Sequence, residues 1–210
     1  MASRSAIDTI KGYFYQFDLS IERLLNLPSG NDSITVERIE DIDVNVASET
    51  TAIQCKYYAN TEYNHSVIAK PIRFMISHYK SLKTDNSDLI RYKIYGHYES
   101  GQSKLIFPIS SSLFIEQFLT YKKDKKLILY HENIGLTEGE IEEFISLLDI
   151  DVDAVNYQTQ IDNIVDELTD YFSCSKFEAE HYYYNNALNK IKELSVEADP
   201  SKRKITKRDF

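Results

Sequence analysis

The first clear pattern along the chain is a run of apolar residues spaced three or four apart between residues 6 and 27. Its members are Ile7, Ile10, Phe14, Phe17, Ile21 and Leu24. This spacing predicts an amphipathic helix, because residues three and four apart lie on one helical face. The next five residues, 28–32, are Pro, Ser, Gly, Asn and Asp, a composition typical of a turn. The helix is therefore predicted to end there.

Alternation of apolar and polar residues replaces the helical spacing after this turn. It predicts three strands in succession, over 34–39, 43–47 and 51–58. A second helix over 70–82 follows, with Pro71 tolerated in its first turn, and then a fourth strand over 89–98. The predicted order is helix, three strands, helix, strand. This order predicts an α/β fold with a mixed sheet flanked by helices.

The second half of the chain is predicted to be mostly helical. Helices are expected over 110–121, from the Thr137–Glu140 capping box to 148, over 161–172 and over 176–194, with one short strand at 127–130. We therefore divide the chain into a core, 1–100, and a helical extension, 101–200, packed on it. Residues 201–210 contain five basic residues in seven positions and predict a linker or the truncated start of a further domain.

Composition restricts the function. The chain has 210 residues and a net charge of −9, which opposes passive binding to nucleic acid. If it binds DNA, local basic groups, self-association or a partner must hold the duplex. No Gly-rich phosphate loop and no Gly-x-Ser-x-Gly motif is present. Only two cysteines, no signal segment and no long apolar run predict a cytoplasmic protein that does not cross a membrane.

Candidate chemistry is concentrated in the second and third predicted strands. Alternate side chains of a strand share a face, so Gln54, Lys56 and Tyr58 are expected to point to one side of the third strand. Asp43 begins the second strand. No packing requirement explains a carboxylate, an amide and an ammonium group on one face. Taken singly, Asp43 is equally an ordinary strand-end acid and Lys56 an ordinary solvated lysine.

The spacing of Asp43, ten residues, then Gln54-Cys55-Lys56 resembles the PD-(D/E)XK nucleases, in the Mrr-type variant where Gln replaces the second acid. The segments 12–16, 40–43 and 203–206 resemble the effector-nuclease branch of bacterial anti-phage systems, which includes CBASS-associated endonucleases and Lamassu effectors. The resemblance implies a restriction-endonuclease-like αβββαβ core that cleaves double-stranded DNA with Mg²⁺, or Mn²⁺ in its place. It also implies activation as a homo-oligomer or by a regulatory or sensor partner or domain.

The resemblance assigns roles to individual residues. Asp43 would be the primary metal ligand, Gln54 a weaker neutral ligand, and Lys56 the group that orients water or stabilises developing charge. The possible supporting residues are Gln16, Glu37, Glu40 and Asp41. The expected nucleic-acid contacts are Tyr58, His65 and Lys70. Two alternatives remain: a catalytically lapsed module of the same fold that binds nucleic acid or a partner, and a nuclease directed at RNA.

Overall fold

A computed structural model describes residues 6–47 and 49–210 of the chain. Helix α1 spans Ala6–Leu25, close to the predicted range. Its second half is buried, with Tyr15, Leu19 and Leu24 fully enclosed, whereas its first two turns are exposed. The amphipathic spacing therefore describes a helix that packs through its C-terminal part.

The main sheet has six strands in the order β7-β4-β3-β2-β1-β8. Strands β1 (Ser33–Val36), β2 (Ile42–Val46) and β3 (Glu49–Glu62) form an antiparallel meander. Strand β4 (Arg91–Ser100) lies parallel to β3, a pairing that requires a crossover, and α2 (His65–Thr84) supplies it. The predicted order of helix, three strands, helix and strand is thus present, and the mixed α/β class is confirmed.

The remaining elements complete both sides of the sheet. They are α3 (Ser111–Phe114) with a π-helical turn (Ile115–Leu119), β5 (Thr120–Lys123), β6 (Lys126–Leu129), α4 (Tyr130–Asn133), α5 (Glu138–Leu147), β7 (Leu148–Asp151), α6 (Tyr157–Phe172), α7 (Lys176–Glu178) with a second π-helical segment (Ala179–Tyr184), α8 (Asn185–Ser195) and β8 (Lys204–Thr206). Two short 3₁₀ turns lie at Gln102–Lys104 and Pro200–Lys202. Strands β5 and β6 form a separate two-stranded hairpin.

Two hydrophobic layers enclose the sheet. On one face, α1, α6 and α8 pack against alternate residues of the meander such as Ile42 and Ile53. On the other face, α2, α5 and the first π-helical turn pack against Ala52, Ile94 and Tyr98. Gln54 and Lys56 belong to this second face by strand alternation.

The sheet contains two strands from beyond residue 100 that the apolar pattern did not predict. Strand β7 lies parallel to β4, directly after a helix that was expected to continue to residue 148. Strand β8 pairs antiparallel with β1, so residues 204–206 belong to the sheet edge instead of a free linker. Ile205 is buried between two polar neighbours, an alternation that three residues are too few to reveal in a basic segment.

Both cysteines are free thiols, Cys55 buried in the sheet and Cys174 partly buried. The predicted helix over 110–121 ends at Leu119, and the chain turns there into β5. Segment 176–194 is helical throughout, with the second π-helical segment in its middle. Among the described residues, no helix has the length and apolar character needed to cross a membrane.

Candidate active site

The start of β2 meets the middle of β3 at the candidate site. The antiparallel register pairs Ile42 with Ile53, so Asp41 lies one step further along, opposite Gln54. The Asp41 carboxylate accepts a hydrogen bond from the Gln54 side-chain amide. It also accepts one from the backbone N–H of Cys55, at 2.7 Å. Asp41, which sequence reasoning placed among the supporting residues, is therefore the carboxylate that touches the Gln-x-Lys strand.

Asp43 occupies a different position from the one expected of a primary metal ligand. Its two carboxylate oxygens accept backbone N–H groups, that of Ile39 at 2.9 Å and that of Glu40 at 3.3 Å. The side chain is only 1% exposed. Asp43 thus ties the turn before β2 back onto the strand and fixes the backbone of Ile39 and Glu40, just before Asp41.

A third acid of the turn, Glu37, is held from two sides. Its carboxylate accepts a hydrogen bond of 2.6 Å from the Gln16 side chain of α1. Its backbone oxygen accepts one of 2.7 Å from the Arg203 guanidinium, just before β8. Glu37 has a φ of 53°, the left-handed region that residues other than glycine seldom adopt. Gln16 and Arg203 therefore stabilise a turn that the local backbone would not favour alone.

The carboxylates of this turn are crowded and short of positive charge. Burial, followed by the neighbouring Asp41 and Asp43 charges, raises the pKa of Glu40 to about 8. Burial raises the pKa of Asp43 to about 6, against the backbone hydrogen bonds that lower it. Burial also raises the pKa of Asp41, while the Lys56 ammonium lowers the pKa of Asp41 and Glu40. Lys56 is thus a cation common to both acids.

Strand β4 lies directly beside Lys56 and forms one side of the candidate site. Lys56 pairs with Gly96 across the parallel register, and the Tyr98 ring covers this glycine. A β-carbon at Gly96 would lie 2.8 Å from the Tyr98 ring and 3.5 Å from the Lys56 β-carbon. Tyr58 lies two residues beyond Lys56 and stacks on Tyr98, with ring centroids 5.5 Å apart. Gly96 therefore allows the tyrosine pair to lie directly beside the lysine.

The other two expected nucleic-acid contacts lie on α2. His65 is the first residue of this helix, and its ring packs 5.5 Å from that of Phe118. Burial, followed by the Lys104 charge, lowers the pKa of His65. Lys70 is exposed one turn later, with its ammonium group 5.6 Å from the Phe74 ring. Of the three residues, only Tyr58 adjoins the Asp41–Gln54–Lys56 group.

The donors at this site are of the type that Mg²⁺ prefers, since Asp41 and Glu40 supply carboxylate oxygens and Gln54 an amide oxygen. Within 6–47 and 49–210, however, no group of three or more His, Cys, Asp or Glu side chains is arranged to hold a metal ion. Mg²⁺ is commonly held by one or two carboxylates, with water and substrate phosphate completing its coordination. A partly buried site with two carboxylates and an amide fits that mode of binding.

The register of the β2–β3 hairpin, counted residue by residue from its turn, would have identified Asp41 as the acid opposite Gln54. Val46 pairs with Glu49, and each step back along β2 advances one residue along β3, so that Asp41 meets Gln54. Asp43 meets Ala52 by the same count. The roles of Gly96 and Arg203 have no such signal, because both depend on contacts between segments distant in the chain.

Neither a protein-family model nor a curated protein sequence matches this chain. Two solved structures of the Acinetobacter baumannii Cap4 SAVED/CARF-domain containing receptor are similar to it over 100% of its length. The receptor with the cyclic trinucleotide 2'3'3'-cAAA has a TM-score of 0.51 and 14% identity, and that with 3'3'3'-cAAA has 0.49 and 16%. The chain spans 44% of the receptor's length. At this identity the likeness describes a shared fold.

Proposed function

We propose that the protein is a metal-dependent endonuclease that cleaves double-stranded DNA, with a restriction-endonuclease-like core. The observation that supports this best is the contact of Asp41 with Gln54, with Lys56 next on the same strand face. These residues come from two neighbouring strands of the meander that the nuclease resemblance implies. The supporting sheet also has the expected parallel β4 beside β3.

The residues would divide the reaction among them. Asp41, Gln54 and Glu40 would hold Mg²⁺, which when bound supplies charge to polarise the phosphate and lower the pKa of a water molecule. Lys56 would stabilise negative charge that develops on the phosphate oxygens. Asp43 and Glu37, with Gln16 and Arg203 behind Glu37, would keep the carboxylates of the turn in place.

Asp41 therefore replaces Asp43 in our assignment of the primary carboxylate ligand. Both oxygens of Asp43 already accept backbone hydrogen bonds. One oxygen of Asp41 accepts two hydrogen bonds, and no hydrogen bond from another described residue reaches the second oxygen. Burial, followed by the charge of neighbouring carboxylates, raises the pKa of Glu40 and Asp41, and a bound divalent cation would favour their charged forms.

We further propose that the enzyme acts as a regulated effector of an anti-phage system. The resemblance to CBASS-associated endonucleases supports this setting, as does the shared fold with a receptor that binds a cyclic trinucleotide. A charge of −9 disfavours DNA binding by one copy, so we expect self-association to raise activity. Cleavage should then increase more steeply than linearly with protein concentration.

Plasmid cleavage tests the proposed reaction. The wild-type protein at high concentration should nick or linearise supercoiled DNA with Mg²⁺ or Mn²⁺ and leave it intact in EDTA. Lys56→Ala should lower the rate about 10²-fold or more, since it removes a group that acts on charge in the transition state. The matched control is Lys93→Ala, which removes a lysine on the neighbouring strand that pairs with Asp149 at 2.6 Å.

The control variant should cleave at the wild-type rate. Equal cleavage by Lys56→Ala and wild type, at unchanged thermal stability, would overturn the assignment. Cleavage of RNA with no cleavage of DNA would retain the site and correct the substrate.

A second candidate is a binding module without catalytic activity. The hydrogen bond between Gln54 and Asp41 favours it, because two side chains that satisfy each other need no metal. Isothermal titration with Mg²⁺ or Mn²⁺ separates the candidates. Metal binding that Asp41→Asn abolishes supports the enzyme, and its absence in the wild-type protein supports the module.

A further inference from the structure

A short basic hairpin projects from the acidic protein. Strands β5 and β6 are joined by a two-residue turn, and the five residues at its tip include four lysines and one acid. The lysines are Lys122, Lys123, Lys125 and Lys126, and all four are exposed. In the described part of the chain, none of them forms an ion pair. The hairpin is therefore a concentrated, uncompensated positive charge.

The hairpin places its lysines at two positions that disfavour them. Lys123 and Lys126 are direct cross-strand partners, and like charges in that position destabilise an antiparallel pair. Lys125 has a φ of 63° in a turn that also requires a positive φ at Asp124, where glycine or asparagine is usual. Neither position is explained by the stability of the hairpin. A ligand that neutralises the ammonium groups would explain both.

The base of the hairpin is firmly attached to α2. The Arg73 guanidinium donates to the backbone oxygen of Phe118 at 2.9 Å and lies 4.5 Å from the centre of the Tyr121 ring. The hydroxyl groups of Ser77 and Tyr130 are 2.6 Å apart at the base of the second strand of the hairpin. Helix α2 packs on the sheet face to which Lys56 belongs. The hairpin that carries the lysines is thus attached at its base to the layer that covers this face.

We propose that this hairpin binds the phosphate backbone of the DNA duplex. Ammonium groups bind phosphates without reading sequence, and a two-stranded ribbon has a width that the major groove of B-form DNA admits. The inference rests on the proposed nuclease function and identifies the local basic group that an acidic DNA-cutting protein requires. An anionic membrane is a weaker match, because Leu127 is the exposed apolar residue at the tip and one leucine offers little to insert.

Fluorescence anisotropy with a labelled DNA duplex of about two helical turns, in EDTA, tests the proposal without cleavage. The test variant replaces the four hairpin lysines with glutamine. The control replaces four exposed lysines of the C-terminal segment with glutamine, which changes the net charge equally: Lys190, Lys192, Lys202 and Lys204. Thermal unfolding of both variants checks the fold, and the hairpin variant should be at least as stable as wild type because the Lys123–Lys126 repulsion is removed.

We expect the hairpin variant to bind DNA at least tenfold more weakly and to show a smaller salt dependence. The slope of log K against log salt concentration should fall by about 0.9 for each phosphate that the variant no longer neutralises, or about 2 to 4 in total. The control should keep the wild-type slope. Equal weakening in both variants, or unchanged binding by the hairpin variant, would refute the proposal. So would unchanged DNA binding with abolished binding to phosphatidylserine vesicles, which would indicate a membrane.

This experiment is independent of cleavage. If wild-type protein binds the duplex through the hairpin but does not cut plasmid, the nuclease function fails and the hairpin inference stands. If Lys56 proves essential for cleavage and the hairpin variant still binds DNA normally, the nuclease function stands and the hairpin inference fails.

Discussion

The acidic turn at Glu37–Asp43 and the basic hairpin at Thr120–Leu129 differ in the exposure of their charged side chains. The turn buries most of its carboxylates at least in part, whereas the hairpin exposes its lysines. The turn holds four carboxylates, three of them at least half-buried, and burial, followed by the Asp41 and Asp43 charges, raises the pKa of Glu40 to about 8. The hairpin exposes four ammonium groups to water, where repulsion is screened. Burial of the carboxylates in the turn and repulsion between Lys123 and Lys126 in the hairpin both oppose folding. Under the proposed function, a phosphodiester substrate and its cation would offset both costs.

The two regions also differ in how they are supported. The turn is fixed by hydrogen bonds between its backbone and the side chains of Asp43 and Arg203, and by one from Gln16 to the Glu37 carboxylate. The hairpin is fixed only at its base, through Arg73 and Ser77. A rigid site suits chemistry that depends on placement within fractions of an ångström, whereas exposed lysines suit contacts that follow a phosphate backbone. We therefore expect changes in the turn to affect reaction rate and changes in the hairpin to affect binding.

The largest expected effect separates these two roles kinetically. Asp41→Asn should lower the single-turnover cleavage rate at saturating DNA by about 10²-fold or more, because it removes the ligand charge. The variant without hairpin lysines should reach nearly the wild-type rate at saturation but require more DNA to do so. Measurement of rate against DNA concentration at fixed Mg²⁺ distinguishes them. A reduced maximal rate in the hairpin variant would contradict the division.

The next largest effect concerns Asp43, which lies in β2, and Asp41, which directly precedes this strand. Asp43→Ala should lower the free energy of unfolding by about 2 kcal/mol, because two backbone N–H groups lose a charged acceptor. Asp41→Asn should change it far less. Urea denaturation followed by circular dichroism measures both. If Asp43→Ala is as stable as wild type and inactive, Asp43 is a ligand after all, as the sequence alone suggested.

A smaller effect is the pH dependence of stability in metal-free buffer. The folded-state pKa of Glu40 is raised to about 8 from an ordinary value of 4.5, so the folded protein favours the neutral acid. The stability that neutral Glu40 allows is complete below about pH 4.5 and is lost as pH rises through about 8. Glu40→Gln should thus match wild type near pH 5 and exceed it by about 1 to 2 kcal/mol near pH 8.5.

Thermal melts in EDTA across this range test the prediction. The control is Glu99→Gln, an exposed acid at the end of β4, which should run parallel to wild type at every pH. Parallel curves for Glu40→Gln as well would show that the turn is not crowded in solution.

The smallest expected effect is at Gln54. Gln54→Glu should retain cleavage and lower the Mg²⁺ concentration needed for the half-maximal rate, because a carboxylate adds a full charge to the ligand set. Titration of the rate with Mg²⁺ measures this. A higher Mg²⁺ requirement would indicate that added repulsion with Asp41 outweighs the ligand charge, and that the amide contacts DNA instead.

Much of the fold follows from local pattern. The helical spacing of α1, the three strands of the meander and the crossover α2–β4 were predicted with ends shifted by up to five residues, because each has a long amphipathic signal. Helix α2 begins at His65, so Pro71 lies inside the helix and the prediction that it lies in the first turn was wrong. The Thr137–Glu140 capping box was predicted and is confirmed. Strands β7 and β8 were missed, since each is only three or four residues long and its pairing partner is far away in the chain.

The sequence by itself determined which residue types face one side of β3, because a strand alternates with period two whatever surrounds it. Gln54, Lys56 and Tyr58 were placed together on that ground alone. Which acid meets them follows from the register of the β2–β3 hairpin, which strand alternation alone does not fix. Register assigns Asp41 to Gln54 and gives Asp43 to the backbone, and Arg203 reaches Glu37 from a segment 166 positions away. Only the tertiary structure decided the Arg203 contact, about which local periodicity carries no information, since it depends on how distant segments close around the sheet.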